Sequence, residues 1–205
     1  MASLMMADRP SGAAPPPFIV AVGGALRPNS STEKALSVVL GAAAALGAET
    51  LLLSGADLDL PHYSPDRLDR SPAAQRLVEA LRRADGIVLG SPGYHGGISG
   101  LVKNALDYVE DMRSDPAPYF EGRAVGCIAT AAGWQATMTT LAALRDVVHA
   151  LRGWPTPLGV PINTMDPAFG PDGACLSPRL HAQLEVVAQQ IVGFAHQRAA
   201  ARAAG

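Results

Sequence analysis

The first candidate for chemistry is a short polar loop over residues 23–32, which reads Gly-Gly-Ala-Leu-Arg-Pro-Asn-Ser-Ser-Thr. It joins an apolar run to a helical pattern, and a helix that begins there points its backbone N–H groups and positive dipole end at the loop. The hydroxyl groups of Ser30, Ser31 and Thr32 add further donors, as does the guanidinium group of Arg27. The loop therefore predicts an anion-binding site, with simple helix capping by Ser31 or Thr32 as the alternative.

Two common nucleotide-binding motifs are absent from this loop, which limits the anions that it is expected to bind. A P-loop needs Gly-x-x-x-x-Gly-Lys-Ser/Thr, but here Glu33 follows the loop and no Gly-Lys-Ser/Thr is present. The Gly-x-Gly-x-x-Gly pattern of dinucleotide-binding folds is also missing. A single phosphate group therefore fits this loop best.

A second loop, over residues 91–99, is rich in glycine and carries an aromatic residue and a histidine. Its candidate binding residues are Pro92, Gly93, Tyr94, His95, Gly96 and Gly97. Glycine lets a backbone approach a ligand closely, while Tyr94 and His95 offer flat or hydrogen-bonding surfaces. A redox-active ring needs such a site, with donors along its polar edge and one face open. An ordinary strand-to-helix turn is the alternative, and His95 is also the one candidate for catalytic proton transfer.

A third loop provides small residues followed by a tryptophan, at Ala131, Ala132, Gly133 and Trp134. The Trp134 indole is predicted to flank a bound ring or close a partner interface, with internal packing as the alternative.

An alternation of strands and helices must position these loops. Apolar runs predict strands over residues 18–22, 48–54, 87–90, 123–130 and 156–162. Helical patterns occupy residues 32–46, 73–84, 99–109, 135–152 and 179–198. Continuous apolar strands separated by helices are typical of a parallel sheet covered on both faces. All three loops then leave carboxyl ends of strands, where ligands bind in such folds.

The length of 205 residues and the apolar fraction of 48% predict one soluble domain. We expect a disordered lead-in over residues 1–17, a single domain over residues 18–198 and a frayed tail over residues 199–205. The net charge of −2 argues against nucleic acid or an anionic membrane as partner. The absence of a long apolar stretch and of a signal pattern predicts a cytoplasmic protein.

No metal site is expected. Four aspartates follow the second predicted strand, but their spacing does not match an EF-hand, so they indicate a solvated part of the long loop over residues 55–70. Cys127 and Cys175 form no metal-type spacing, and Cys127 lies in an apolar run typical of a buried thiol.

The three loops, in this order, resemble the NAD(P)H-dependent FMN reductase family of the flavodoxin-like superfold. The first resembles the family's GSLRxxSxN, and the second, continued to Asp107, resembles PEYNGSIPGxLKNAID. The segment Leu60-Pro-His-Tyr63 is similar to the family's LPLY. Three positions depart from the pattern: Ala25 replaces a serine, Gly93 a glutamate and His95 an asparagine.

The resemblance implies a flavodoxin-like three-layer α/β sandwich, with a five-stranded parallel sheet in the order 2-1-3-4-5 and helices on both faces. It implies FMN as cofactor, with Arg27, Ser30 and Thr32 on its phosphate and the second and third loops beside its ring. NADPH or NADH would be the co-substrate. Reduced flavin would serve a flavin-dependent monooxygenase, or electrons would pass to a small-molecule acceptor.

Several alternatives remain open within this resemblance. The protein could be an FMN-bound quinone or azo reductase, a non-enzymatic flavodoxin-type electron carrier, or a relative that binds another phosphorylated ligand. The family also implies a homodimer or homotetramer, with Lys103, Asn104 and Asp107 near the contact between subunits.

Overall fold

The computed structural model describes residues 15–204, so the expected lead-in over residues 1–17 lies almost wholly outside the described residues. Its strands are β1 (Phe18–Gly23), β2 (Glu49–Leu53), β3 (Gly86–Tyr94), β4 (Gly97–Ile98), β5 (Ala124–Ala131), β6 (Trp154–Pro155) and β7 (Val160–Asn163). The main sheet has the order β2-β1-β3-β5-β6, and β7 also pairs with β5. These pairs are all parallel, and only β4 runs antiparallel, against the end of β3. With β6 and β7 counted as one interrupted strand, the predicted order 2-1-3-4-5 is confirmed.

Five α-helices cover the two faces of this sheet: α1 (Ser31–Ala45), α2 (Pro72–Arg83), α3 (Gly100–Asp107), α4 (Trp134–Ala150) and α5 (Pro178–Ala203). Successive side chains of β1 point to opposite faces, so Val20 and Val22 pack beneath α2, α3 and α4. Ile19 and Ala21 pack beneath α1 and α5. Burial on both faces explains why the strands read as continuous apolar runs, and the predicted three-layer sandwich is confirmed.

The fifth predicted strand, over residues 156–162, is wrong in detail. The structure has two short strands instead, β6 and β7, separated by four residues that belong to no strand. Prolines at positions 155, 157 and 161 cannot donate to a ladder, which explains the interruption. Both pieces lie at the edge of the sheet, as their prolines predict.

Helix limits also differ from the predicted ones in two places. The helix expected over residues 99–109 ends at Asp107 and continues as a 3₁₀ turn over Tyr108–Met112. The last helix runs to Ala203, beyond the expected Arg198, because its alanine-rich end favours helix. Ser71 caps α2 and Ser177 caps α5, since each hydroxyl accepts a backbone N–H three residues further on.

The long segment over residues 55–70 is fastened to the turn after α3. It begins with a 3₁₀ turn at Gly55–Leu58. Arg70 forms a bidentate ion pair with Asp111, at 2.7 and 2.8 Å. Its guanidinium carbon lies 4.7 Å from the ring centre of Tyr63, whose phenol pKa is raised, chiefly by burial.

Asn104 holds the same segment from α3. Its side chain accepts the Tyr63 N–H at 2.9 Å and donates to the carbonyl oxygens of Leu60 and Pro61. The Asn104 amide, expected near a subunit contact, is therefore engaged within the chain. Lys103 pairs with Asp107 at 2.6 Å on the exposed face of the helix.

Cys127 lies in β5 and is completely buried, as its apolar run predicts. Burial disfavours the thiolate and raises the pKa of this thiol to about 12. Within residues 15–204, no helix has both the length and the apolar character to cross a bilayer. The same part of the chain holds no group of three or more His, Cys, Asp or Glu side chains arranged to bind a metal ion.

Gly23 offers a direct test of strand packing. A Cβ atom there would lie 1.9 Å from the carbonyl oxygen of Gly90. We expect Gly23→Ala to lower the free energy of unfolding by at least about 1–3 kcal/mol, because β1 and β3 would have to separate. Gly41→Ala is the control, since its new methyl group meets no atom within 4 Å in α1. That change should stabilise by roughly 0.5–1 kcal/mol. Urea unfolding of both variants measures the difference, and equal effects would contradict this account.

Candidate active site

The first loop is shaped by a helix cap at Ser30. Ser30 is buried, and its Oγ accepts the Glu33 N–H at 3.2 Å. The helix is therefore capped by Ser30, and the predicted alternative of a cap at Ser31 or Thr32 is wrong. Because Oγ acts as acceptor in the cap, the Ser30 hydroxyl hydrogen is left to donate to a ligand. Arg27 is exposed and forms no ion pair with any residue from 15 to 204.

Thr32 turns inward and ties this loop to strand β5. Its Oγ1 lies 2.6 Å from Oγ1 of Thr130, and both side chains are buried. Two hydroxyl groups that share one hydrogen bond still hold one O–H to donate elsewhere. Sequence reasoning missed Thr130, although a polar residue at the end of an otherwise apolar strand is the signal that marks it.

The second loop is a β-hairpin, which corrects the expectation of a loop over residues 91–97. Pro92, Gly93 and Tyr94 extend β3, and Tyr94 pairs with Gly97 of β4. The two central residues have positive φ, 52° at His95 and 86° at Gly96, as a two-residue type I′ turn requires. Hairpin pairing therefore gives a firm backbone to the segment that was predicted to contact a ring.

Helix α4 supports this hairpin from below. The Thr140 hydroxyl donates to the Gly97 carbonyl oxygen at 3.3 Å. A Cβ at Gly93 would lie 2.4 Å from Thr140 Oγ1 and 3.1 Å from the Cβ of Ala131. The departure from the family's glutamate at position 93 thus has a physical reason, because α4 packs against the hairpin without room for a side chain.

The third loop is held by an asparagine that sequence reasoning missed. Asn163 Oδ1 accepts the N–H of Gly133 at 2.8 Å and that of Met165 at 3.1 Å. The Thr164 N–H donates to the Ala131 carbonyl oxygen at 2.9 Å. Asn163 ends β7 and belongs to no motif, so no sequence signal pointed to it.

The three loops enclose one cavity of about 480 Å³, a volume within the usual range of small-molecule sites. The predicted residues that line it are Arg27, Ser30, Ser31, Thr32, Pro92, Gly93, Tyr94, His95, Ala131 and Ala132. The structure adds Ala25, Thr130, Ala136 and Thr164. Residues from three separate loops therefore meet at the carboxyl ends of β1, β3 and β5.

Four predicted residues lie outside the cavity wall: Gly96, Gly97, Gly133 and Trp134. The first two belong to the outer part of the hairpin, and Gly133 precedes the first turn of α4. Trp134 is 59% exposed and lines a neighbouring cavity with Asn163 and Leu180. Its contact with a bound ring stays a prediction.

The electrostatics of the cavity favour an anion. Arg27 lines it, whereas no aspartate or glutamate of residues 15–204 does. Two helices, α1 and α4, begin at its edge, and α4 has no side-chain cap because Gly133 occupies the cap position. The first N–H groups of α4 have no intrahelical acceptor, so its positive end remains available beside Ala136.

Comparisons with known proteins agree with this geometry. The sequence matches the family described as NADPH-dependent FMN reductase over residues 17–165. It is 33% identical to the FMN-dependent NADPH-azoreductase of Staphylococcus aureus over 139 residues, which are 67% of this chain and 70% of the relative.

Solved structures show the same fold. The flavoenzyme NAD(P)H:(acceptor) oxidoreductase FerB from Paracoccus denitrificans superposes with a TM-score of 0.70 at 24% identity, covering 89% of this chain and 98% of that one. The WrbA-like flavodoxin from Agrobacterium tumefaciens gives 0.60 at 18% identity, covering 89% and 99%. The family match extends over most of the chain, including the three loops that form the cavity. The chain therefore belongs to the NADPH-dependent FMN reductase family.

Proposed function

We propose that this protein binds FMN in the cavity and catalyses electron transfer from NADPH or NADH to a small-molecule acceptor. The observation that carries the proposal is the convergence of an anion-binding loop, a rigid glycine-rich hairpin and an uncapped helix on one cavity without carboxylates. Family membership and the azoreductase relative support the same reaction class.

The phosphate end of the cofactor fits the first loop. The N–H groups of the first turn of α1 and the free hydroxyl hydrogen of Ser30 are donors to a phosphate oxygen. Arg27 adds a forked cationic contact at the cavity mouth. Ser31 lies beside them and compensates for the hydroxyl that Ala25 lacks.

The ring end fits the hairpin and α4. Pro92, Gly93 and Tyr94 present extended backbone and one aromatic side chain, while Ala131 and Ala132 supply a small apolar surface. When bound, FMN supplies the chemistry, by accepting a hydride and passing electrons on. The protein positions the ring and leaves one face open. The positive end of α4 stabilises negative charge that develops nearby.

A proton-transfer role for His95 is a secondary proposal. The side chain is exposed on the hairpin turn and lines the cavity. Hydride transfer itself requires no protein acid or base, so a proton from His95 would serve the later reduction of the acceptor. We expect His95→Gln to slow that step while oxidation of NADPH or NADH continues.

The proposed assembly of the protein is based on side chains exposed around the cavity. Tyr94, Trp134 and Met138 are each more than half exposed at or near the cavity. Apolar surface in this quantity favours a homodimer or homotetramer that covers it. We also propose a cytoplasmic location, and a flavin-dependent monooxygenase as the partner if reduced FMN leaves the protein.

Steady-state kinetics test the proposed function. Purified protein supplied with FMN should oxidise NADPH or NADH, and turnover with a quinone or azo dye should follow a ping-pong pattern if FMN stays bound. Loss of FMN on dilution during turnover would favour the monooxygenase-supply role instead. Absence of NAD(P)H oxidation, together with one-electron cycling by a chemical reductant, would contradict the enzyme and favour a flavodoxin-type carrier.

Arg27 tests the phosphate contact. We expect Arg27→Ala to weaken FMN binding by about 1.5–3 kcal/mol, roughly 10- to 150-fold, because a charge-assisted hydrogen bond is lost. Fluorescence titration with FMN measures the change. The control is Arg113→Ala, an exposed arginine with a 3.5 Å ion pair away from the cavity, which should leave the affinity unchanged. Equal affinities of all three proteins would place the phosphate elsewhere.

Asn163 tests the support of the third loop. Asn163→Ala removes the acceptor of two backbone N–H groups and should lower the free energy of unfolding by about 1–3 kcal/mol. It should also weaken FMN binding, because the Ala131–Ala132 wall loosens. Asn104→Ala is the matched control, since it releases a loop that does not line the cavity. We expect a similar loss of stability there, with unchanged FMN affinity. Equal FMN affinities of the two variants would mean that Asn163 does not shape the site.

A further inference from the structure

A small polar pocket lies at the opposite end of the sheet from the candidate active site. Five arginines line it: Arg82, Arg83, Arg123, Arg198 and Arg202. We call it the arginine pocket. Its volume is about 110 Å³. The first two residues end α2, just before β3 begins, and Arg123 immediately precedes β5. The last two lie in the final turns of α5, so three separate elements bring the guanidinium groups together.

The charges in this pocket do not balance. Asp85 is the one carboxylate among the residues that line it. Arg82 pairs with Asp115 at 2.8 Å and with Glu79 at 3.2 Å, both outside the lining. Arg83, Arg198 and Arg202 have no carboxylate within 4.0 Å in the described part of the chain. Among residues 15–204, the five guanidinium groups are thus offset by Asp85 in the lining and by the two carboxylates that pair with Arg82, which leaves an excess of two positive charges.

Arg123 contributes a buried charge to this excess. Its guanidinium group donates to the carbonyl oxygens of Ala84, Tyr119 and Arg82, and to no carboxylate. Desolvation by burial lowers the pKa of Arg123, and the nearby charge of Arg202 lowers it further. An arginine remains protonated even so, and its unpaired charge raises the positive potential of the pocket.

The Arg198 guanidinium group lies against Gly122 in the pocket wall. A Cβ at Gly122, where φ is +74°, would lie 2.9 Å from Arg198 Nη2. Arg198 and Arg202 are also one helical turn apart, a spacing at which like charges repel. The negative ends of α2 and α5 attract cations. That attraction accounts for arginines near the ends of α2 and α5. It does not account for their position beside Arg123, which precedes β5.

We propose that the arginine pocket binds a phosphate-sized oxyanion that carries two negative charges. Two charges match the excess, and guanidinium groups are suited to bidentate contact with phosphate oxygens. The pocket volume of about 110 Å³ is well below the roughly 300–1,000 Å³ of typical small-molecule sites. That size suits one tetrahedral oxyanion and is too small for a nucleotide. The ion is either free phosphate or the phosphoryl group of a molecule whose remainder lies outside the pocket.

Calorimetric titration with inorganic phosphate tests this site. The protein is first saturated with FMN, so that the loop at Arg27 is occupied, and ionic strength is kept constant with sodium chloride. We expect one phosphate bound per chain. Arg198→Gln and Arg202→Gln should each weaken this binding at least about tenfold, because each removes a charge-assisted contact. Arg179→Gln, at the other end of the same helix, is the matched control and should bind phosphate as the parent does.

A parallel titration with phenyl phosphate identifies the source of the oxyanion. Tighter binding than that of inorganic phosphate supports the site and indicates a phosphoryl group on a larger molecule. Equal or weaker binding of phenyl phosphate, with inorganic phosphate bound, supports the site and indicates the free ion. Failure of both probes to bind, or binding that survives Arg198→Gln and Arg202→Gln unchanged, overturns the proposal. The titration is also repeated without FMN, on the parent protein and on Arg27→Ala. If Arg27→Ala is the one variant that abolishes phosphate binding, the phosphate occupies the first loop, and the proposal of a site in the arginine pocket is overturned.

Discussion

The carboxyl ends of β1 and β3 approach so closely that only glycine fits between them, and the candidate site depends on this approach. Gly23 lies opposite Gly90, whose carbonyl oxygen also accepts the Gly24 N–H at 3.2 Å. At Gly90 a side chain would meet Thr32 Cγ2 at 2.8 Å. The start of α1 can therefore settle over the strand ends, and Thr32 reaches Thr130 on β5. Without this close packing, the anion-binding loop and the hairpin would not share one cavity.

Features set by neighbouring residues could be predicted from the sequence, whereas contacts between residues far apart in the chain could not. Apolar runs predicted the parallel sheet and placed three loops at its strand ends, whereas the strand order came from the resemblance to the FMN reductase family. Ten residues of those loops line the cavity, and the composition of the loops, a local feature, is what marked them. Thr130 and Asn163 were missed because their roles depend on partners far along the chain. Thr130 meets Thr32 across 98 positions, and Asn163 meets Gly133 across 30. The hairpin at His95 was missed because β4 has only two residues, too few for a periodic pattern.

The molecule also distributes its charge unevenly, although its net charge is only −2. At the carboxyl edge of the sheet, one arginine and two helix starts face a cavity without carboxylates. At the amino edge, four arginines near the ends of α2 and α5 meet Arg123, which precedes β5. Local fields at close range are stronger than the screened field of the whole protein. The low net charge of the whole protein therefore does not argue against local binding of small anions.

The function depends above all on recognition of the FMN phosphate by the first loop. A comparison of FMN with riboflavin tests this recognition. The two ligands have the same ring and ribityl chain and differ in that phosphate. Fluorescence titration of the purified protein should show FMN bound at least about a hundredfold more tightly than riboflavin, since several charge-assisted hydrogen bonds depend on the phosphate. Equal affinity for the two ligands, or no binding of either, would contradict the account.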